Sequence, residues 1–354
     1  MRYSRQEIFS EIGKKGQEKL RKSSVAIIGL GALGSVSAEL LARAGIGKLI
    51  LIDRDIVELS NLQRQSLYDE EDVGKPKAMA AKEHLKKINS EVKIDFFVDD
   101  LNHENVYGLT PINDDGNDGK SNNGKHIKKI KINKNNKIDL ILDCTDNLET
   151  RFLINDFSVK NKTPFIYSSA VGSKGYTFNI IPEKNNPCLR CFLKEAAQLD
   201  TCETTGVLNA ITHIIPSIQA NEAIKIILKK FSPQKIFSQL LFFDVWKNEL
   251  MKIKINKNKS CQCCVKNNFE YLDGKKFSSL TKMCGNNLYQ IRKNISEENF
   301  LLIKNKLKKI GKIVDFAYCI NFDGKITIFR DGRALIKAKD EKEAKSLYSK
   351  YISN

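Results

Sequence analysis

Apolar positions come along this chain in two alternating rhythms. Short continuous runs, such as Val25-Ala-Ile-Ile and Leu49-Ile-Leu-Ile, read as strands buried on both faces, and longer stretches with a period near 3.6 read as helices. The pattern predicts a first helix over Arg5–Lys19, then a strand opening at Val25, a turn at Gly29-Leu-Gly31-Ala32-Leu-Gly34 and a helix running through Ala44. Strand Lys48–Ile52 follows and ends on Asp53, before a helix Lys77–Ile88, strands Val92–Val98 and Ile138–Leu142, a helix Leu148–Lys160 and a strand Pro164–Ser168. This βα alternation predicts an α/β protein with a doubly wound, Rossmann-like, mostly parallel sheet.

Further on the rhythm changes. Gly175–Pro182 and Leu240–Ile255 predict an antiparallel extension of the sheet around a long helix, Leu208–Lys230. After Cys264 a smaller α+β unit is expected: a helix Glu297–Lys309, strands Ile313–Asn321 and Lys325–Lys337 about the Asp323-Gly324 turn, and a closing helix Asp340–Tyr351. The expected division is residues 1–264 and 265–354. Residues 110–137, rich in Asn, Asp, Gly and Lys, lack the apolar content to order themselves and are expected to form a mobile surface insertion.

Length and composition narrow the function. The chain has 354 residues, of which 41% are hydrophobic, enough for one large unit or two unequal ones. No apolar stretch approaches the roughly 18 residues that cross a bilayer, and the first residues, Met-Arg-Tyr-Ser-Arg-Gln, lack a signal-peptide core, so a cytoplasmic protein without a membrane partner is expected. The formal net charge of +17 would suit a polyanion, but the excess is mostly Lys dispersed among Asn and Ile, so nucleic acid is not an expected partner. Nine cysteines, an odd number, point to metal binding or thiol chemistry rather than a disulfide framework.

The chemistry begins at Gly29-x-Gly31-x-x-Gly34, where a turn between strand and helix lets backbone N–H groups approach a phosphate. Asp53, 19 residues beyond Gly34, is placed to accept hydrogen bonds from ribose hydroxyls. These features suit NAD as well as ATP. The next segment, Ser60-Asn61-Leu62-Gln63-Arg64-Gln65 followed by Gly74-Lys75-Pro76-Lys77, adds Arg64 and Lys77, fixed cations suited to charge spreading over an α-phosphate and a departing pyrophosphate. A hydride-transfer enzyme has no use for them. Asp146, in Asp143-Cys-Thr-Asp146-Asn147 at the end of a strand, is positioned to hold Mg²⁺; Asp143 or Asp146 could equally cap the following helix. Cys188-x-x-Cys191 and Cys261-x-x-Cys264 offer four thiolates for a tetrahedral structural zinc, with Cys263 leaving the second pair ambiguous.

Taken together in this order, with Arg2-Tyr-Ser-Arg5-Gln6 before them and Thr201-Cys202-Glu-Thr-Thr-Gly206-Val207 between the cysteine pairs, these motifs resemble the ThiF/MoeB/HesA family, prokaryotic relatives of the ubiquitin-activating enzymes. The resemblance covers about residues 1–265. It implies that ATP adenylates the C-terminal glycine of a ubiquitin-like sulfur-carrier protein ending in Gly-Gly, with release of pyrophosphate. It also implies a homodimer in which Arg5 reaches the partner subunit's ATP. Carried onto this chain, the nucleotide-site residues are Gly29, Gly31, Ala32, Gly34, Asp53, Ser60, Asn61, Leu62, Gln63, Arg64, Lys77, Asp146 and Asn147. Cys202 precedes a helix N-terminus that would favour its thiolate, and in some family members a cysteine here links to the carrier, whereas in others the adenylate suffices. The tail resembles the extension of a long ThiF-like subgroup rather than a rhodanese, which implies a separate sulfur donor. Two other readings stand beside this one: a noncatalytic, regulatory nucleotide-binding module, and an NAD-dependent dehydrogenase.

Overall fold

The structure is a computed structural model that describes residues 2–109, 137–194, 205–229, 239–276, 280–282, 288–293, 295–316, 318–330 and 332–353. The expected insertion at 110–137 lies outside these residues except for Lys137, and Cys202 and Cys284 lie outside them altogether. The chain divides into two units, the first comprising residues 1–73 and 77–277, the second residues 74–76 and 278–354.

In the first unit an eight-stranded sheet runs in the order β3-β2-β1-β4-β5-β6-β7-β8. Its strands are β1 (Ser24–Ile28), β2 (Lys48–Asp53), β3 (Lys93–Val98), β4 (Leu140–Asp143), β5 (Phe165–Val171), β6 (Lys174–Ile180), β7 (Gln239–Asp244) and β8 (Glu249–Lys254). β1 to β5 are parallel and β6 to β8 join antiparallel. Every residue of β1 is buried, as a central strand covered on both faces requires. Alternate residues feed two cores: Val25 and Ile27 pack with Leu49, Leu51 and Leu142 on one face, and Ala26 and Ile28 with Ile50, Ile52 and Phe152 on the other.

The helices of this unit are α1 (Ser4–Ile8), α2 (Gly13–Lys22), α3 (Gly34–Ala44), α4 (Lys77–Ile88), α5 (Leu148–Asn161) and α6 (Ile211–Leu228). One expectation is corrected here, and another, the antiparallel extension over Leu240–Ile255, is borne out as two strands. The single helix over Arg5–Lys19 is broken at Phe9–Ile12, with Gly13 at φ 61°, because α1 has no buried residue and contributes no apolar stripe to continue into α2. The stretch Leu240–Ile255 is a hairpin, β7 and β8, turned at Asn248 with φ 55°. α6 packs against β5 and β6, burying Ile211, Ile215 and Ala223.

The second unit carries a six-stranded antiparallel sheet, β11-β12-β13-β14-β10-β9, from β9 (Leu280–Lys282), β10 (Leu288–Arg292), β11 (Ile313–Asp315), β12 (Cys319–Phe322), β13 (Ile326–Phe329) and β14 (Arg333–Lys337). Helices α7 (Glu297–Lys308) and α8 (Glu341–Tyr351) supply Phe300, Leu307 and Tyr348 to a core with Ile320, Ile328 and Ile336. The two long strands expected here are four short ones, because the chain also doubles back between β11 and β12 and, at Gly332, between β13 and β14.

Candidate functional site

β1, β2 and β4 end side by side at one edge of the sheet, where a doubly wound fold places its ligand. Two glycines fix the turn leaving β1. Gly29 sits at φ 87°, and a Cβ there would lie 2.7 Å from the carbonyl oxygen of Cys144. A Cβ on Gly34 would lie 1.9 Å from the oxygen of Gly29, so the first turn of α3 closes onto the loop only without a side chain. Gly31 and Ala32 form the half-buried rim of this loop.

Asp53 ends β2 and is only 7% exposed. Its Oδ2 accepts the N–H of Leu30 at 2.5 Å and its Oδ1 the N–H of Asp55 at 2.6 Å, so the carboxylate ties the glycine loop to the end of β2. Burial pushes Asp53 up to about 6; Lys77 and the two N–H donors oppose this and Asp55 adds to it. Lys77 opens α4 and is buried, with its Nζ 3.4 Å from Asp55 Oδ2 and its N–H donating to the Asp55 carbonyl. Burial works against the charge of Lys77, but Asp55, Asp53 and Asp146 outweigh it and hold the ammonium pKa above its ordinary value. A buried lysine here therefore stays a cation.

Asp143 and Asp146 part company. Asp143 is wholly buried; its Oδ1 accepts from the N–H and hydroxyl of Thr145, and its Oδ2 stands 3.9 Å from Arg151 Nε. Its role is to shape the turn after β4. Asp146 is exposed on that turn and its charge reaches Lys77, Arg151 and Arg54. The helix cap falls to neither of them: Asn147 Oδ1 accepts the N–H of Thr150 and starts α5, which commits that oxygen away from any ligand.

The segment after β2 presents a mixed picture. Asn61 is buried and donates to Ser60 Oγ at 3.3 Å, while Ser60 and Gln63 are exposed and Leu62 packs against the core. Arg64 is half-buried, and its Nη1 donates to the carbonyl of Ser60 at 2.9 Å. Arg5 is not brought to this edge. It lies on α1, whose neighbours Tyr3 and Gln6 are anchored at the other end of α3, through Asn89 and the Ala44 carbonyl. The 11 residues of α3 separate the two ends by about 16 Å, beyond the reach of an arginine side chain.

Four residues of this edge escape the motif reading. Arg54 and Asp55 flank the end of β2, Asp100 follows β3 and pairs with Arg54, and the Tyr68 hydroxyl donates to the Leu30 carbonyl at 2.8 Å, pinning the glycine loop from above. Asp55 could have been suspected from its spacing to Asp53; Asp100, 45 residues beyond Asp55, carries no signal in the sequence.

A second constellation lies off the opposite half of the sheet. The sulfurs of Cys188, Cys191, Cys261 and Cys264 all lie within 4.8 Å of one another, with 3.6 Å between Cys188 and Cys261 and 3.5 Å between Cys191 and Cys264. A zinc ion with four sulfurs at about 2.3 Å demands edges of about 3.8 Å, so the donor set and its spacing are compatible with zinc. Cys263 lies outside this group of four and its sulfur accepts from Asn155 Nδ2 at 3.2 Å, so the second pair is Cys261 with Cys264. Asn155 also accepts the N–H of Leu189, so α5 holds the Cys188–Cys191 loop by a side chain one turn beyond Arg151. Cys144 and Cys319 are buried, as small apolar residues would be. Among the described residues no helix is long and apolar enough to cross a membrane.

Comparison with known proteins shows the family. The profile of the ThiF family covers residues 3–265. The sulfur carrier protein ThiS adenylyltransferase of Bacillus subtilis is 38% identical over 99% of both chains, second unit included. The enzyme of that name from Escherichia coli is 33% identical over 75% of this chain and 94% of its own, and the SAMP-activating enzyme E1 of Haloferax volcanii is 30% identical over 74% and 88%. Among solved structures, E. coli MccB superposes with a TM-score of 0.60 over 75% of this chain and 74% of its own, at 22% identity, a likeness of fold. On this evidence the chain belongs to the ThiF family.

Proposed function

We propose that this protein is an adenylyltransferase that uses ATP to activate the C-terminal glycine of a ubiquitin-like sulfur-carrier protein, releasing pyrophosphate. The observation that carries the reading is the meeting, at one sheet edge, of a glycine loop, a buried carboxylate at the end of β2 and a buried lysine kept cationic by the carboxylates around it. The end-to-end relative that bears this activity in its name supports it.

The residues divide the work as follows. The loop Gly29 to Gly34 and the N-terminus of α3 take the phosphates, and Asp53 the ribose hydroxyls. Lys77 and Arg64 stabilise charge on the α-phosphate and the departing pyrophosphate, and Asn61 adds a hydrogen bond to a phosphate oxygen. Asp146, exposed beside these cations and free of any capping duty, is the carboxylate that would hold Mg²⁺, which supplies charge neutralisation at the β- and γ-phosphates. A carrier's terminal carboxylate is ionised at neutral pH, so attack needs no general base. Arg5, too far from its own subunit's loop, serves the partner's nucleotide in a homodimer. Cys188, Cys191, Cys261 and Cys264 hold a structural zinc. Sulfur comes from a separate donor, and Cys202 is the residue through which a covalent link to the carrier would pass.

The test is ATP–pyrophosphate exchange with purified protein and a panel of carriers ending in Gly-Gly. Exchange with one carrier, abolished in Arg64→Gln and Asp146→Asn while the thermal midpoint stays put, is the expected result. Retention of near wild-type exchange in both variants sinks the mechanism. Silence with every carrier despite ATP binding favours the regulatory nucleotide-binding module, and nicotinamide absorbance changes with a substrate would favour the dehydrogenase.

A further inference from the structure

Around Lys77 charges of both signs are crowded together. Asp53, Asp55 and Asp100 stand within one network, with Asp146 acting on it from the rim, and Arg54 and Lys77 are the cations set against them. Arg54 is the first residue past β2, and its side chain is 12% exposed. Its Nη1 donates to Asp100 Oδ1 at 3.2 Å, and its Nε lies 4.0 Å from Asp55 Oδ1. The other oxygen of Asp55 faces Lys77 Nζ at 3.4 Å. Asp55 thus stands between two cations, one on each oxygen, and Arg54 spans the ends of β2 and β3.

We propose that Arg54 is a positioning residue for Lys77: by drawing on the charge of Asp55 and tethering Asp100, it keeps Lys77 from being consumed in a closed ion pair and leaves its ammonium available to a nucleotide phosphate. The inference rests on the adenylation reading given above. The physics is a competition for one carboxylate. With Arg54 present, Asp55 divides its charge between two cations, and the long 3.4 Å contact to Lys77 reflects a partner that can be exchanged. Without Arg54, Asp55 remains partly buried and loses one of the cations set against it, so it draws more strongly on Lys77. A phosphate would then have to pull Lys77 away from a tighter partner.

The side chain also differs from what a ligand-binding arginine at this position would offer. In dinucleotide sites an arginine near the acid after the second strand can take a 2′-phosphate. Here the guanidinium is turned to Asp100 and Asp55, so its service is to neighbours rather than to a ligand.

Three variants of the full chain test this: Arg54→Met, Arg54→Lys, and Arg54→Met combined with Asp55→Asn. Each is assayed by equilibrium binding of ATP, by KM and kcat of pyrophosphate exchange, and by thermal midpoint. Arg54→Met is expected to weaken ATP binding and raise its KM by about 10-fold with kcat within about 2-fold of wild type, since the loss falls on binding. Arg54→Lys keeps the charge and is expected to stay within about 3-fold of wild-type KM. Adding Asp55→Asn to Arg54→Met frees Lys77 and is expected to recover most of the ATP affinity, a rescue that a purely structural arginine would not give. Unchanged KM in Arg54→Met, or a loss that Asp55→Asn does not relieve, overturns the proposal. If Arg54→Met fails to fold, Arg54→Gln, which keeps a donor for Asp100 without the charge, gives the same readout, and an unchanged KM there overturns it equally. Wild-type protein that binds no ATP overturns the nucleotide reading, and this inference with it.

Discussion

At the nucleotide edge, Lys77 and Arg54 keep their charge among aspartates that approach them from β2, β3 and the turn after β4, so cations and anions hold one another in place without any added group. At the cysteine knuckle, four groups of one chemistry stand within 4.8 Å of one another, and as thiolates they would repel. The first region is organised by the fold before any ligand arrives. The second has the spacing of a metal site and, on the zinc reading proposed above, would draw its cohesion from a cation that the chain itself does not supply. One helix links them, for α5 begins at the Asp146 turn and, two turns on, holds the knuckle through Asn155.

That contrast can be broken at several points, and the largest effect belongs to the knuckle. Replacing Cys261 by Ser is expected to remove bound zinc and lower the thermal midpoint by about 10 °C or more, because binding energy in such sites is folding energy. Zinc content by atomic absorption and a thermal melt check it; wild-type protein purified without zinc, and as stable after chelation as before, would show that the cysteines need no metal.

Next in size is Gly34→Ala. The added methyl must displace the Gly29 carbonyl from 1.9 Å, and backbone cannot yield as a side chain can, so a loss of about 2–4 kcal/mol in a urea titration is expected, together with loss of ATP binding. An unperturbed melt would mean the loop is far more pliant than its packing indicates.

The pH dependence comes third. Asp53 has its pKa raised to about 6 in the folded chain against 3.8 for the ordinary group, so the folded state holds the proton more tightly than the unfolded state between these values. The contribution is fully present below about 3.8 and is lost as pH rises through about 6, amounting to about 3 kcal/mol at most for an ionised group buried this deeply. ATP binding should follow the opposite course, strengthening as Asp53 ionises. Asp53→Asn is expected to flatten the stability slope over that window in urea titrations at pH 4.5, 6 and 7.5; an identical slope in the variant would remove Asp53 as its source.

The smallest effect sharpens the boundary of the knuckle. Cys263→Ala removes a buried thiol that accepts from Asn155 and stands outside the group of four, so a loss of about 1 kcal/mol with zinc content unchanged is expected. A fall in zinc would make Cys263 a ligand.

Much of this architecture is legible in the sequence, and the reason differs from element to element. β1, β2 and β4 are continuous apolar runs because both faces of a central parallel strand are covered, and such runs need no context to be recognised. The bounds of α4 and α5 follow from local periodicity. The break between α1 and α2 escapes this logic, since their charged residues keep a helical rhythm that only the absence of anything to pack against interrupts. The hairpin β7–β8 escapes it too, because β8 is exposed throughout and its alternation marks no core.

The same division runs through the site. Sequence alone determined the glycine loop, the carboxylate after β2, the cations after it and the four cysteines, because each depends on residue type at a fixed local spacing. Tertiary structure decided the rest. It gave Asn147 the helix cap in place of Asp143 or Asp146, turned Cys263 inward, carried Arg5 to the far end of α3, and set Asp100 against Arg54 across 46 residues of chain. These outcomes depend on which buried group finds a partner of opposite charge or a hydrogen-bond donor, and proximity of that kind arises only when distant strands are brought edge to edge.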